Sequence, residues 1–175
     1  MAINFKISKS TILGDVWIIK PSIAEDNRGN IWTSFLKDEI EKILPDDLYF
    51  KHDKFSKSKK SVLRGIHGDD KSWKLVTCVH GAIHQVVIDC RKESDTYTKY
   101  ETFEINGDNQ ISILIPPRFG NAYFVRSKNA VYHYKLAYEG DYIDAGEQFS
   151  YKWNDPTFNI KWPNDKPILS TRDAR

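Results

Sequence analysis

His67 ends the apolar run Val62-Leu63-Arg64-Gly65-Ile66-His67, with Gly65 two places before it and Gly68 directly after. Histidine is the one side chain whose ordinary pKa lets it take and return a proton near neutral pH. Glycine inside a strand marks a place where a ligand or a second backbone comes close. This setting suits a general base at the rim of a pocket, although the residue taken alone fits a structural histidine equally well. The other four histidines read differently. His84, in the alternating run Ile83-His84-Gln85-Val86-Val87-Ile88-Asp89, takes the face opposite Ile83 and points to solvent or into a barrel in a structural role. His80 precedes Gly81 and is expected exposed. His133 turns away from both Tyr132 and Tyr134, and His52 borders a basic segment.

The elements that must position His67 are strands. Short β-rich segments recur at Val16–Lys20, Asn30–Phe35, Leu48–His52, Val62–Ile66, Leu75–Val79, Ile83–Cys90, Tyr97–Ile105, Ile111–Ile115, Ala122–Arg126, Ala130–Leu136 and Gln148–Trp153. Turn signals separate them at His80-Gly81, Asn106-Gly107, Ser127-Lys128-Asn129 and Glu139-Gly140. Many evenly spaced strands predict an all-β sandwich or barrel. The spacing predicts one helix: Leu36, Ile40, Ile43 and Leu44 share a face, and Pro45 stops it. There is no βαβ alternation, Gly-rich phosphate loop or internal repeat. The stretch from Pro156 to Pro167 is expected to run extended over the surface.

A length of 175 residues predicts a single domain spanning 1–175, large enough to bury roughly 70% of the surface its unfolded chain exposes. Cys78 and Cys90 lie in apolar stretches and read as buried, unreactive thiols. The net charge of +2 is too small to argue for a nucleic-acid partner. No stretch approaches the ~20 apolar residues of a membrane span. Met1 to Pro21 lacks the continuous apolar core of a signal peptide, so a cytoplasmic protein is expected. The densest basic segment, Lys51 to Lys60, reads as a solvated loop entering a strand. Its sharper reading is a cationic rim that meets a diphosphate.

Many cupin-type jelly rolls bind a metal through a His-x-His pair, a Glu and a later His. The chain has no His-x-His, and Asn121 in Pro116-Pro117-Arg118-Phe119-Gly120-Asn121 stands where the late ligand is expected. No bound metal is expected.

Several motifs fall into one order: Asp26-Asn27-Arg28-Gly29, then Ser56-Lys57-Ser58-Lys59-Lys60-Ser61-Val62-Leu63-Arg64-Gly65-Ile66-His67, then Lys74-Leu75-Val76. Val87 to Ser94, Ile115-Pro116, Tyr134-Lys135, Trp153-Asn154-Asp155 and Leu169-Ser170-Thr171-Arg172-Asp173 follow. Together, over nearly the whole chain, they resemble the nucleotide-linked 4-keto-6-deoxysugar 3,5-epimerases. The resemblance implies a cupin-like jelly-roll barrel with one or two short helices, usually a homodimer, and an epimerase needing no cofactor. Its substrate would be a nucleotide-diphospho-4-keto sugar. It assigns His67 as the base beside the sugar ring and Asp173 as its carboxylate partner. Tyr134 would be the acid on the opposite ring face and Lys74 the cation near the 4-keto oxygen. Arg28 and Arg64 would hold substrate and diphosphate.

The residue types suit that chemistry. Taking a proton from a carbon next to a ketone builds negative charge on the ketone oxygen, and a fixed cation stabilises the enolate. Inversion then needs a proton from the other face.

The chain departs from the family pattern around the pocket. A usual Gly is Arg118, and a usual active-site His is Asn121. His52 and Lys54 replace a Gln and an Asn, and Thr33 replaces an acidic residue. These changes are similar to a branch acting on GDP-linked 4-keto heptoses for bacterial capsules, making His52, Lys54 and Asn121 candidates for substrate binding. Rival readings are a C3-only epimerase, a cupin-type 3,4-ketoisomerase and a sugar-binding module without activity.

Overall fold

The computed structural model describes residues 4–174. In chain order the strands are β1 (Phe5–Lys9), β2 (Trp17–Pro21), β3 (Ile23–Asp26), β4 (Gly29–Trp32), β5 (Phe50–Lys59), β6 (Leu63–Gly68), β7 (Trp73–His80), β8 (Ala82–Asp89), β9 (Tyr100–Asn106), β10 (Ser112–Ile115), β11 (Phe119–Val125), β12 (Asn129–Ala137) and β13 (Phe149–Ser150). Between β4 and β5 lies the short helix α1 (Lys37–Ile40), continued by a 3₁₀ turn over Glu41–Ile43. A six-stranded sheet runs β1-β2-β10-β7-β12-β5, and a five-stranded sheet runs β13-β6-β11-β8-β9. β3 and β4 form a separate hairpin.

Side-chain alternation explains how the sheets stack. Val76 and Cys78 on β7, Ile113 and Ile115 on β10, and Val87 on β8 meet Phe119, Tyr123 and Tyr132 in one buried cluster between the sheets. Their neighbours in sequence turn the other way. Leu75 and Leu114 pack outward with Ile40 and Leu44 of the helical segment. Val86 and Ile88 pack outward beneath Phe158, Ile160 and Trp162. Burying each such side chain contributes about 1.5–3 kcal/mol relative to leaving it in water. Strands apolar on both faces are therefore covered on both faces, which places the extended C-terminal stretch over the five-stranded sheet.

The expected all-β jelly-roll arrangement is what the chain forms, with differences at element ends. The helix expected over 36–44 is α1 plus a 3₁₀ turn, because Leu36 offers its N-terminus no side-chain cap and the Glu41 carboxylate turns away to accept the Phe50 N–H at 3.0 Å. β1 was not anticipated. The basic segment expected as a loop is most of β5, paired with β12 from Lys59↔Asn129 to Phe50↔Ala137. Tyr97 to Lys99 precede β9 as a turn, held by the Asp89 and Thr98 backbones.

Cys78 is buried and Cys90 half-buried; burial pushes their thiols up to about 11 and about 12, so both stay protonated as expected. Among the described residues, no helix is long and apolar enough to cross a membrane, and no group of three or more His, Cys, Asp or Glu is placed to hold a metal.

Candidate active site

The inner faces of the two sheets are apolar at one end of the sandwich and polar at the other, where a cavity of about 350 Å³ opens. That size suits a small-molecule site. The six-stranded sheet contributes Lys54 and Ser56 from β5, Lys74 from β7, and Tyr134 and Leu136 from β12. The five-stranded sheet contributes Arg64 and His67 from β6, and Asn121 and Tyr123 from β11. Ser170, Arg172 and Asp173 of the C-terminal tail close one side.

A bulge puts Arg64 and His67 on the same face. Asn121 pairs with His67 and Tyr123 with Arg64, so β6 carries one more residue than β11 over this interval. Regular alternation would send positions 64 and 67 to opposite faces; the extra residue brings both inward. Gly65 allows the turn, with φ of +126° and a backbone so close to β11 that a β-carbon would come 2.7 Å from the Asn121 carbonyl oxygen.

The tail delivers Asp173. Ile168 bridges to Val62 and exchanges backbone hydrogen bonds with Ser61 and Leu63 at 2.8 and 3.0 Å. Five residues on, Asp173 Oδ1 lies 2.7 Å from His67 Nε2. Its other oxygen accepts the Ser170 hydroxyl at 2.9 Å. Burial raises the Asp173 carboxyl, but the hydrogen bonds from His67 and Ser170 and the nearby Arg172 charge outweigh it and hold the group below its ordinary value. An ionised carboxylate only accepts, so His67 Nε2 carries the hydrogen, and in the neutral imidazole Nδ1 is the nitrogen with the lone pair.

Tyr134 stands on the other sheet. Burial drives its phenol well above the ordinary tyrosine value, reinforced by the neighbouring Tyr123, so it remains a proton donor. Its ring meets Tyr132 edge-on at 4.7 Å, and Tyr132 stacks on Tyr123 at 4.1 Å. Arg64 Nε donates to Ser58 Oγ at 3.0 Å, and Ser56 and Tyr123 share a hydrogen bond of 2.7 Å; both contacts tie the two sheets. Lys74 Nζ donates to Asp69 Oδ2 at 2.9 Å.

Asn121 is oriented from behind. Its Oδ1 accepts Gln85 Nε2 at 2.7 Å and lies 3.2 Å from the Tyr132 hydroxyl, which also reaches Gln85 Oε1 at 2.7 Å. With the oxygen so engaged, the amide nitrogen is the group left for the cavity.

The fold therefore gathers His67, Tyr134, Lys74, Asp173, Arg64, Lys54 and Asn121 around one cavity. Two expected residues stand elsewhere. His52 packs behind Tyr142, ring centroids 4.8 Å apart, with Nδ1 3.3 Å from the Tyr138 hydroxyl. Arg28 is on the β3–β4 turn, 85% exposed and paired with Asp26 at 2.5 Å, so it does not belong to this chain's own cavity.

Arg172, Asp69, Ser56 and Tyr123 were not singled out from the sequence. Arg172 carried a signal, standing next to Asp173 in a recognised motif; one of its guanidinium nitrogens is buried without a hydrogen-bond partner. His84 is structural, its Nδ1 2.6 Å from Glu104 and its ring edge-on to Trp162. His133 pairs with Asp53 at 2.6 Å on the outer face.

The family model for dTDP-4-dehydrorhamnose 3,5-epimerase matches residues 10–175. The chain is 33% identical to the dTDP-4-dehydrorhamnose 3,5-epimerase of Salmonella typhimurium over 168 residues, 94% of this chain and 90% of that one. It is 34% identical to the Escherichia coli enzyme of the same name over 169 residues, again 94% and 90%. Its fold matches the crystal structure of dTDP-6-deoxy-D-glucose-3,5-epimerase from Legionella pneumophila, in complex with dTDP-4-keto-L-rhamnose, with a TM-score of 0.88 and 31% identity, covering 97% of this chain and 90% of that one. A likeness in sequence and in cupin-like jelly-roll fold that runs nearly end to end decides the matter: the chain belongs to the dTDP-4-dehydrorhamnose 3,5-epimerase family and is a sugar-nucleotide epimerase, an isomerase.

Proposed function

We propose that the protein inverts C3 and C5 of a nucleotide-diphospho-4-keto-6-deoxy sugar by proton transfer across the ring. The observation that carries this reading is that His67 and Tyr134 enter one cavity from opposite sheets. His67 Nδ1 takes the proton from a carbon beside the ketone. The C–H electron pair moves into the ring and onto the C4 oxygen, giving an enolate. The Lys74 ammonium stabilises that oxygen, a contact of the kind worth about 2.7–4 kcal/mol. Tyr134 then gives its phenolic proton to the carbon from the other face, the enolate collapses to the ketone, and solvent restores both groups. Asp173 keeps the imidazole in the tautomer that leaves Nδ1 basic. No redox or organic cofactor enters the scheme.

Arg64 and Arg172 offer charge for the diphosphate, and Lys54 with Tyr142 forms the cationic and aromatic rim. The named relatives act on dTDP-linked sugars. The substrate assigned here is finer, a GDP-linked heptose used in the cytoplasm for a bacterial surface polysaccharide. Lys54 in place of Asn, and the small, non-titrating Asn121 in place of His, support it. The functional unit is a homodimer, which gives the exposed Arg28 of each hairpin a role at the partner's cavity.

The test is incubation in heavy water with GDP-linked and dTDP-linked 4-keto-6-deoxy sugars in parallel, followed by mass spectrometry of the reduced products. Two deuterons, at C3 and C5, are expected, with the GDP-heptose turned over fastest. One deuteron at C3 alone would make the enzyme a C3-epimerase. Faster turnover of the dTDP-hexose would replace the substrate assignment while leaving the reaction.

A further inference from the structure

Lys74 lines the cavity yet is only 6% exposed, and its ammonium meets Asp69, which is 3% exposed. A buried carboxylate this close to a cavity cation needs a reason, because pairing two charges away from water costs desolvation that their attraction only partly returns.

The geometry around Asp69 divides its two oxygens between two tasks. Oδ1 accepts the backbone N–H groups of Ser72 at 2.6 Å and Lys71 at 3.2 Å, closing the turn between β6 and β7. The Asp69 carbonyl accepts the Arg118 N–H at 2.7 Å, pinning that turn to the start of β11. Oδ2 is left for Lys74 at 2.9 Å. The turn therefore fixes the carboxylate, and the carboxylate fixes the lysine. It begins two residues after His67, so base and cation are set by one short stretch of chain.

We propose that Asp69 is a positioning residue for the epimerisation, holding the Lys74 ammonium aimed at the oxygen where the enolate forms. An ammonium has three donors; Asp69 takes one and leaves two for the substrate. A lysine on a flexible stem would otherwise give up entropy in each turnover to reach that place. The charged and titratable groups that share the cavity with Lys74 are His67 and Arg64 on β6, Tyr134 on β12, Tyr123 on β11, Lys54 on β5, and Tyr142, Asp144, Arg172 and Asp173 beyond β12. Three of these are fixed cations and disfavour a further positive charge, so Asp69 counters them where they act on Lys74. This inference rests on Lys74 serving the keto oxygen.

The test is Asp69→Asn, which keeps the Oδ1 acceptor for the turn and replaces only the oxygen that faces Lys74. The expected result is a drop in kcat of roughly tenfold or more at pH 8 with KM changed less. In a Lys74→Ala background, Asp69→Asn should cost nothing further. If the single variant unfolds, the D69N/K74A pair against K74A alone still decides the matter, because neither carries an unpaired ammonium. A parent-like kcat in Asp69→Asn, or an equal loss with and without Lys74, would overturn the proposal. Unchanged turnover in Lys74→Ala by itself would instead remove Lys74 from the mechanism.

Discussion

The ring of His67 and the carboxylate of Asp173 meet at 2.7 Å although 106 positions separate them in the chain. The contact fixes which imidazole nitrogen carries the hydrogen, and that decides whether the side chain facing the cavity is a base. His67→Asn should abolish solvent deuterium exchange into the sugar while the circular dichroism spectrum stays intact. Asp173→Asn is the more revealing change. Its amide offers an N–H to Nε2, which favours the opposite tautomer and protonates Nδ1. Turnover should fall by about 10²-fold or more, toward the roughly 10⁴-fold known for a carboxylate-to-amide change behind a catalytic histidine. Loss of less than tenfold would mean that Asp173 does not set the tautomer.

Gly65 makes the second prediction. Alanine there would push its methyl group into the Ala122 side chain and the Asn121 carbonyl, at a backbone φ of +126° that side chains rarely adopt. Overpacking alone costs about 1–3 kcal/mol. Gly65→Ala should therefore lower the free energy of unfolding by at least about 2 kcal/mol in urea. Activity should fall more than stability accounts for, because Arg64 and His67 both depend on the bulge. A variant as stable and active as its parent would show that β6 has another way to turn both side chains inward.

The contrast between β7 and β6 shows what could be read from the sequence. On β7, Lys74 shares parity with Val76 and Cys78, so alternation alone places it on the inner face. On β6, strict alternation places Arg64 and His67 on opposite faces, and nothing in the letters announces the bulge that reunites them. β5 was misread for a different reason. Lys57 and Lys59 face solvent, while Lys54, Ser56 and Ser58 face the polar end of the interior, so neither face is apolar and the usual strand signal vanishes. The family resemblance brought His67, Asp173, Tyr134 and Lys74 into one site. It named no role for Asp69, whose part appears only once the turn that holds it is folded.

Acid stability gives a third prediction, centred on Asp89. Burial raises its carboxyl, but hydrogen bonds from the Arg91 guanidinium, Ser94, Thr96 and the Arg91 backbone more than compensate and hold it far below its ordinary value. The contact distances are 2.6–2.9 Å. A carboxyl depressed in the folded state binds protons more tightly when unfolded. Its stabilisation is therefore full above the unfolded value near ~4 and is lost as pH falls toward the folded value. Urea unfolding of the parent and Asp89→Asn, measured from pH 7 to pH 3, should show a gap that is constant above about pH 5 and narrows below about pH 4. A gap of the same size at pH 7 and pH 3 would remove Asp89 from the acid transition.

The last prediction separates taking a proton from returning one. His67 and Tyr134 stand on different sheets across the cavity, so removing one leaves the other's geometry in place. Tyr134→Phe keeps the ring that meets Tyr132 edge-on at 4.7 Å and deletes only the phenolic hydroxyl. Burial holds that phenol protonated in the parent throughout the neutral range. In the variant, His67 still abstracts the proton and, after exchange with heavy water, returns a deuteron to the same face. The expected outcome is substrate labelled with deuterium at C3 and C5, with configuration retained and inverted product reduced by about 10²–10⁴-fold, the range for a positioned proton donor. Proton NMR of the recovered sugar distinguishes retention from inversion, and mass spectrometry counts the deuterons. Normal inversion in Tyr134→Phe would pass the acid role to another group. Labelling at C3 alone, with C5 untouched, would show that the sugar is held with one carbon within reach of His67.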